Sequence, residues 1–506
     1  MTKKTRGWRD SKSVAKAKKL AERRSLSWYM AAVFLAFFAL MLFFEVFLIK
    51  DENSSYRNLY TELDYSDYRF NNGRNRRLEI VPPFHVAREL ARVLSDVGAE
   101  GLLEENITSN SLKISDEPDH WQMVRGTKNK FFVFSAYFDD RRGNYIRVIS
   151  VARTRIADRV VCKFWFRNGR SPVAVYATNK LIRENWNLKY SAYFILCPLQ
   201  RDVGQIPDEV SIIKLGDSRS SNRLVVHNNH ASGSPAEGIA VCIKPLHYNY
   251  NKLVNLVEFV ELNRLLGVQH FFLYNDTIGP AVSCALQYYI KEGIVTVLPW
   301  KLDLISQKEI RTEGLFAALN DCLYRTMYKH RFVLMIDLDE YIIPHANASL
   351  TDLIAFLQKK SSHRAGAFSF QNSFFYLHWP NDPNSEGLSY QLITLQKTIR
   401  KTKLHAHKQR SKCIVLPERV VEMGNHFVWE FAPGRTMVNV GPDLGFLHHY
   451  RVCEFGGTDC INTTSTVDRT VYMWKSALLD AVSSRLDEIQ RLFSLSLNDT
   501  RKLDTW

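Results

Sequence analysis

The second half of the chain alternates short apolar runs with helix-patterned segments, and that alternation leaves few folds open. Residues 239–243 read as a buried strand ending at Lys244-Pro245. Leu253, Leu256, Val257 and Val260 follow at helical spacing, stopping at Gly267. Strand 268–274 ends in Asn275-Asp276, a helix over 282–291 closes at Gly293, and strand 294–298 leads to Trp300. Leu315, Ala318, Leu319 and Cys322 share another helix face before strand 332–336. Four strands separated by three helices require right-handed crossovers and a parallel sheet, so the expected class is α/β. Such sheets bind ligands at the carboxyl ends of their strands. Here those ends carry Lys244, Asn275, Asp276, Trp300 and the run Asp337-Leu338-Asp339-Glu340.

Three acids within four residues, directly after a buried strand, put carboxylates on the sheet rim. Hard oxygen ligands of this kind suit Mn²⁺ or Mg²⁺, and such an ion can hold a diphosphate. The plainer reading makes Asp339 or Glu340 a helix cap. It explains little, because Tyr341-Ile342-Ile343-Pro344 reads as extended chain.

The first half is organised differently. Of the net charge of +15 over 506 residues, +8 lies in residues 1–26, leaving no dense basic block elsewhere and little support for nucleic-acid binding. Behind that basic tail (1–27), residues 28–49 are apolar except for Glu45, and their 22 positions match one bilayer-spanning helix. A signal peptide fits less well, since no small-x-small cleavage site follows Ile49. Basic charge before the span and Asp51-Glu52 after it predict a single-pass, type II anchor. The whole chain is 46% apolar and 24% charged, which excludes a disordered or many-span protein.

Six N-x-S/T sequons (Asn53, Asn106, Asn275, Asn347, Asn462, Asn498) and all eight cysteines lie beyond the span, as a lumenal chain requires. Cys453 and Cys460, around Gly456-Gly457, are the best guess for a disulfide. Residues 50–119 read as a polar stem, 120–228 as short β-rich runs forming a small all-β, sandwich-like domain, and 229–238 as a linker. The α/β domain is expected over 239–480, with a C-terminal helix or tail at 481–506.

Several stretches together resemble glycosyltransferase family 92. They are Tyr248-Asn249, residues 256–267, His270 to Asn275, Asp321-Cys322-Leu323-Tyr324-Arg325 and Ile336 to Tyr341. Arg410-Ser411-Lys412, Pro417-Glu418, Gly424, His426 and His449-Tyr450-Arg451 continue the series in order, so the resemblance covers about 235 to 480. It implies a GT-A (nucleotide-diphospho-sugar transferase) fold and inverting transfer of a sugar, typically galactose from UDP-galactose, to a glycan or glycoprotein acceptor. It also implies a Golgi membrane enzyme whose catalytic domain is lumenal. The resemblance makes Asp339 a metal ligand, Asp337 a metal or ribose contact, and His449 a further metal ligand. A packing role for His449 beside His448 stays open.

Lys244, Tyr248, Asn249, Asn275 and Asp276 are candidates for holding the nucleotide, and Asn275 and Asp276 could equally form a turn. Lys412 and Arg410 face the diphosphate or are solvated surface. The acceptor hydroxyl needs a base. Among Glu418, Glu422, Glu430 and Asp443, the aromatic neighbours of Glu430 favour it, unless it is a solvent-facing edge carboxylate. Phe374-Phe375-Tyr376 and Trp379 either stack on sugars or belong to the core. Two other classes remain: a non-catalytic, carbohydrate-binding type II membrane glycoprotein, and a lumenal hydrolase with paired carboxylates, although G-x-S-x-G is absent.

Overall fold

The computed structural model describes residues 119–199, 204–228, 237–453, 460 and 462–493, which fall in one compact unit. The basic tail, the apolar segment 28–49, residues 50–118 of the expected stem and most of the expected linker lie outside the described residues. No helix among the described residues is long and apolar enough to cross a membrane.

Nine strands come first: β1 (Gln122–Met123), β2 (Phe132–Asp139), β3 (Tyr145–Arg153), β4 (Val160–Trp165), β5 (Val173–Tyr176), β6 (Thr178–Leu181), β7 (Tyr190–Pro198), β8 (Glu209–Lys214) and β9 (Leu224–His227). They form one sheet in the order β5-β4-β8-β9-β2-β3-β7-β6, with β1 beside β2. Strands β2, β3 and β7 are apolar on both faces, so each face needs a cover. Val133, Ala136, Ile146, Val148 and Ile195 pack against Phe164, Val210 and Ile212 of the same sheet, and the Cys162–Cys197 disulfide ties β4 to β7. Phe132, Phe134, Tyr137, Ile149, Val151 and Phe194 turn the other way, onto Trp300, Leu319, Leu323, Tyr324, Met335 and Val415. The β-rich segment therefore shares a hydrophobic core with the α/β part instead of standing apart as a separate small domain.

The α/β part begins with β10 (Ile239–Cys242), α1 (Leu253–Leu265), β11 (His270–Asn275), α2 (Pro280–Lys291), β12 (Val295–Pro299), α3 (Leu315–Thr326) and β13 (Phe332–Met335). Strands β12, β11, β10 and β13 are neighbours and parallel, as the helical crossovers require. After β14 (Glu340–Pro344) and α4 (Leu350–Lys360) come β15 (Ala365–Phe370), β16 (Asn372–Tyr376), α5 (Ile393–Gln396), β17 (Ile399–Lys401) and β18 (Lys412–Val415). The last described elements are β19 (Val420–Met423), β20 (Val428–Phe431), β21 (Thr436–Asn439), β22 (Gly445–Arg451), β23 (Ser465–Val467) and α6 (Lys475–Phe493).

Strand β18 lies antiparallel to β13 and β15, extending the sheet to seven strands and making it mixed. Helix α6 presents Leu478, Val482, Leu486 and Ile489 on one face, and these join the core cluster of α1. That second cover explains why α1 is buried nearly all round, including Glu258. The Glu258 carboxylate accepts the backbone N–H groups of Ile393 and Thr394 and the Thr394 hydroxyl, capping α5 from across the core. Burial pushes its pKa up to about 7.

Candidate active site

Strands β10 and β13 run in register, with Cys242 opposite Met335, so the residues just beyond their ends meet. Lys244 donates to the Oδ2 of Asp337. Strand β18 starts beside β13, and Lys412 donates to the same oxygen at 3.1 Å. Asp337 Oδ1 is buried without a hydrogen-bond partner. Burial would push the Asp337 carboxyl up, but the two ammonium groups prevail and hold it well below the usual range. The carboxylates of Asp337 and Glu340 in turn hold Lys412 above its ordinary value despite burial.

The acid run then enters a three-stranded sheet, β14-β22-β16, which fixes the other half of the site. Glu340 sits opposite His449 on β22, and His449 sits opposite Phe374 on β16. The Tyr450 N–H donates to the Asp339 carbonyl at 2.9 Å, locking the turn. His449 Nδ1 lies 3.2 Å from Glu340 Oε1, and its Nε2 lies 3.3 Å from Asp339 Oδ2. Glu340 is buried, accepts the Asp337 N–H at 3.0 Å and meets Lys412 at 3.2 Å. Burial pushes its carboxyl up, whereas His449 holds that of Asp339 down against burial.

The three acids therefore differ in role. Asp337 is clamped, Glu340 orients His449 from behind, and Asp339 alone has a half-exposed side chain. With Nδ1 facing Glu340, His449 turns Nε2 toward Asp339, the usual way a buried carboxylate fixes a ligating imidazole. Cis ligands on an octahedral ion at ~2.1 Å stand ~3 Å apart, which the Asp339–His449 spacing of 3.3 Å approaches. Asp339 and His449 therefore offer two donors at the spacing one divalent cation needs, whereas the unpartnered Oδ1 of Asp337 does not group with them at ligand spacing.

The remaining expected nucleotide contacts sit on two adjoining loops. Asn275 ends β11, and its side-chain oxygen is buried without a partner. Asp276 donates its N–H to the Leu246 carbonyl and accepts from the Thr277 hydroxyl. Tyr248 and Asn249 both have positive φ, 55° and 52°, in a tight turn. Asn249 donates its N–H to Thr277 at 3.2 Å, and Tyr248 is exposed. Arg410 lies near Phe374, with its guanidinium 6.0 Å from the ring centre.

Glu430, the expected base, is engaged by cations of the first sheet and has no hydrogen bond to this cluster among the described residues. Its carboxylate accepts from Arg142 at 2.6 Å, Lys180 at 2.6 Å and Arg183 at 2.7 Å, bonding β20 to strand β6 and two loops of the first sheet. Burial would raise its pKa, but those cations hold it below the usual range, which suits an ion-pair anchor rather than a proton acceptor. The aromatic run divides by strand alternation: Phe375 stacks on His448 in the core, whereas Phe374 sits 5.2 Å from the His449 ring.

The segment Asp321–Arg325 has a bracing role that its sequence did not disclose. Buried Asp321 accepts from the hydroxyls of Ser135, Tyr137 and Tyr274 and from Arg325. Cys322 is disulfide-bonded to Cys242, and the Tyr324 hydroxyl donates to the Val421 carbonyl at 2.9 Å. Asn372 and Asn425 were also missed. The first places its amide 3.3 Å from His449 Nδ1, and the second accepts from Lys412 at 3.1 Å. Lone asparagines carry no spacing signal, so only the fold could have found them. The Cys453–Cys460 disulfide is present.

Comparison with known proteins bears on the same region. The pattern of glycosyltransferase family 92 matches residues 237–496. The Caenorhabditis elegans protein named beta-1,4-galactosyltransferase galt-1 is 25% identical over 340 residues, covering 63% of this chain and 74% of that protein. The C. elegans glycosyltransferase family 92 protein F13G3.3 is 25% identical over 235 residues, covering 44% of this chain and 43% of that one. Among solved structures, S. aureus TarS 1-349 aligns with a TM-score of 0.26 at 14% identity, over 51% of this chain and 74% of that one. The family match takes in the parallel strands, the acid run and β22, and the chain belongs to glycosyltransferase family 92.

Proposed function

We propose that this glycosyltransferase is a metal-dependent, inverting GT-A enzyme that transfers galactose from UDP-galactose to a glycan of a glycoprotein. The observation that carries the reading is the convergence of Asp339 and His449, 3.3 Å apart, beside the lysine-clamped Asp337. The galactosyl donor is supported by the name of the C. elegans relative.

Asp339 and His449 would hold Mn²⁺ or Mg²⁺, with Asp337 clamped beside them. When bound, such an ion neutralises charge on the departing diphosphate. Glu340 keeps the His449 tautomer and ring orientation fixed. Lys244, partly exposed next to Asp337, is placed to meet phosphate oxygens, while buried Lys412 keeps Asp337 ionised and pairs with Glu340. Asn275, Asp276, Tyr248 and Asn249 form the rim on which the nucleoside rests. Phe374, buried beside His449, backs the imidazole from β16.

We further propose a type II Golgi protein anchored by residues 28–49, with the catalytic part lumenal. The basic tail before the apolar run, the sequons after it and the disulfides among the described residues support this. The donor is tested with a secreted form beginning after Ile49, offered a panel of UDP-sugars and Mn²⁺. Turnover of UDP-galactose above the other donors is expected, and preference for a different UDP-sugar would overturn the donor assignment.

A further inference from the structure

Strand β22 places His448 and His449 on opposite faces, and the face away from Asp339 carries a second cluster. His345, directly after β14, points its Nε2 at the Nε2 of His448, 3.5 Å away. Asp468, directly after β23, brings a carboxylate oxygen within 4.8 Å of both imidazole nitrogens. The three residues come from three separate chain segments.

A 3.5 Å separation is long for an N–H···N hydrogen bond. It matches two imidazoles sharing one tetrahedral ion, since Zn–N bonds of ~2.1 Å set ligand nitrogens ~3.4 Å apart. His448 is fully buried, stacked on Phe375 at 4.5 Å, and its other ring nitrogen faces the Tyr450 hydroxyl at 3.4 Å. That contact fixes the ring with Nε2 toward His345. Asp468 is held as firmly. Its Oδ1 accepts the Thr470 N–H and hydroxyl, and its Oδ2 accepts from Arg400 at 2.8 Å. Those bonds use three of about four lone-pair sites, leaving one on Oδ2.

We propose that His345 Nε2, His448 Nε2 and an Asp468 oxygen bind one Zn²⁺-type ion, with water in the fourth position, separate from the ion at Asp339 and His449. The ion is structural. It clasps the segment after β23 to the ends of β14 and β22, and so secures the register that sets Glu340 opposite His449.

The test measures metal content of the full chain equilibrated with Zn²⁺ and then dialysed, in wild type, Asp339→Asn and His345→Gln. About one Zn²⁺ per chain is expected in wild type and in Asp339→Asn, and none in His345→Gln. Removing Zn²⁺ with a strong chelator should lower the Tm of wild type and Asp339→Asn but not of His345→Gln. Equal retention in all three proteins, or none in wild type, would overturn the proposal. Should His345→Gln fail to fold, Co²⁺ titration of wild type decides: visible absorption typical of four-coordinate Co²⁺ is expected, and its absence would overturn the site.

Discussion

At the scale of single residues, neighbouring carboxylates do different work because their partners differ. Asp339 is half-exposed, so Asp339→Ala should abolish transfer, by at least ~10³-fold, while shifting stability by no more than ~0.5 kcal/mol. Steady-state assay and urea titration of the same preparation check this. Lys412 is buried between Asp337 and Glu340, so Lys412→Met leaves a buried carboxylate uncompensated and should cost ~3–5 kcal/mol. Glu430→Gln is the contrasting case. Two of its three cationic partners are nearly half-exposed, so the loss should be ~1 kcal/mol or less, with kcat nearly unchanged. A kcat collapse in Glu430→Gln would restore it as the base.

Glu258 adds a pH dependence. Its folded pKa of about 7 lies above the ordinary carboxylate value of 4.5, so the folded state binds more protons between those limits. Stability from this group is therefore present at low pH and falls as pH rises from about 4.5 to about 7. Glu258→Gln loses hydrogen bonds and overall stability, but it should also lose that decline. Unfolding free energies at several pH values across the window would show a flatter profile than wild type.

At the scale of elements, the sequence was legible wherever a local period decided the structure. The four parallel strands and three crossover helices follow from apolar runs and helix faces, and they account for Lys244 meeting Asp337. Pairings made far along the chain had no local signature. Strand β18 inserts antiparallel beside β13 only in three dimensions, so the ion pair of Lys412 with Asp337 could not be read. The ion pairs of Glu430 were hidden for the same reason. Its aromatic neighbours signalled a desolvated carboxylate, but its cations come from 288, 250 and 247 residues away. The end of β11 yields a further prediction. Asn275 matches a glycosylation sequon, yet its side-chain oxygen is buried at the rim of the proposed donor site. Glycopeptide mass spectrometry of active protein should find Asn275 unmodified; high occupancy would remove it from the nucleotide site.

At the scale of the whole molecule, the first sheet supports the catalytic part instead of accompanying it. Its outer face shares a core with α3 and β13, and Asp321, Arg325 and Glu430 brace the join with buried or partly buried charges. The doubly apolar strands β2 and β3 were a visible cue to this, though not to what would cover them. The central claim remains the metal-assisted donor site built from Asp337, Asp339 and His449. Its most direct test is calorimetric titration of UDP into chelator-treated wild type and Asp339→Ala, each with and without added Mn²⁺. The account predicts Mn²⁺-dependent UDP binding in wild type and loss of that dependence in Asp339→Ala. Equal UDP affinity in all four titrations would contradict it.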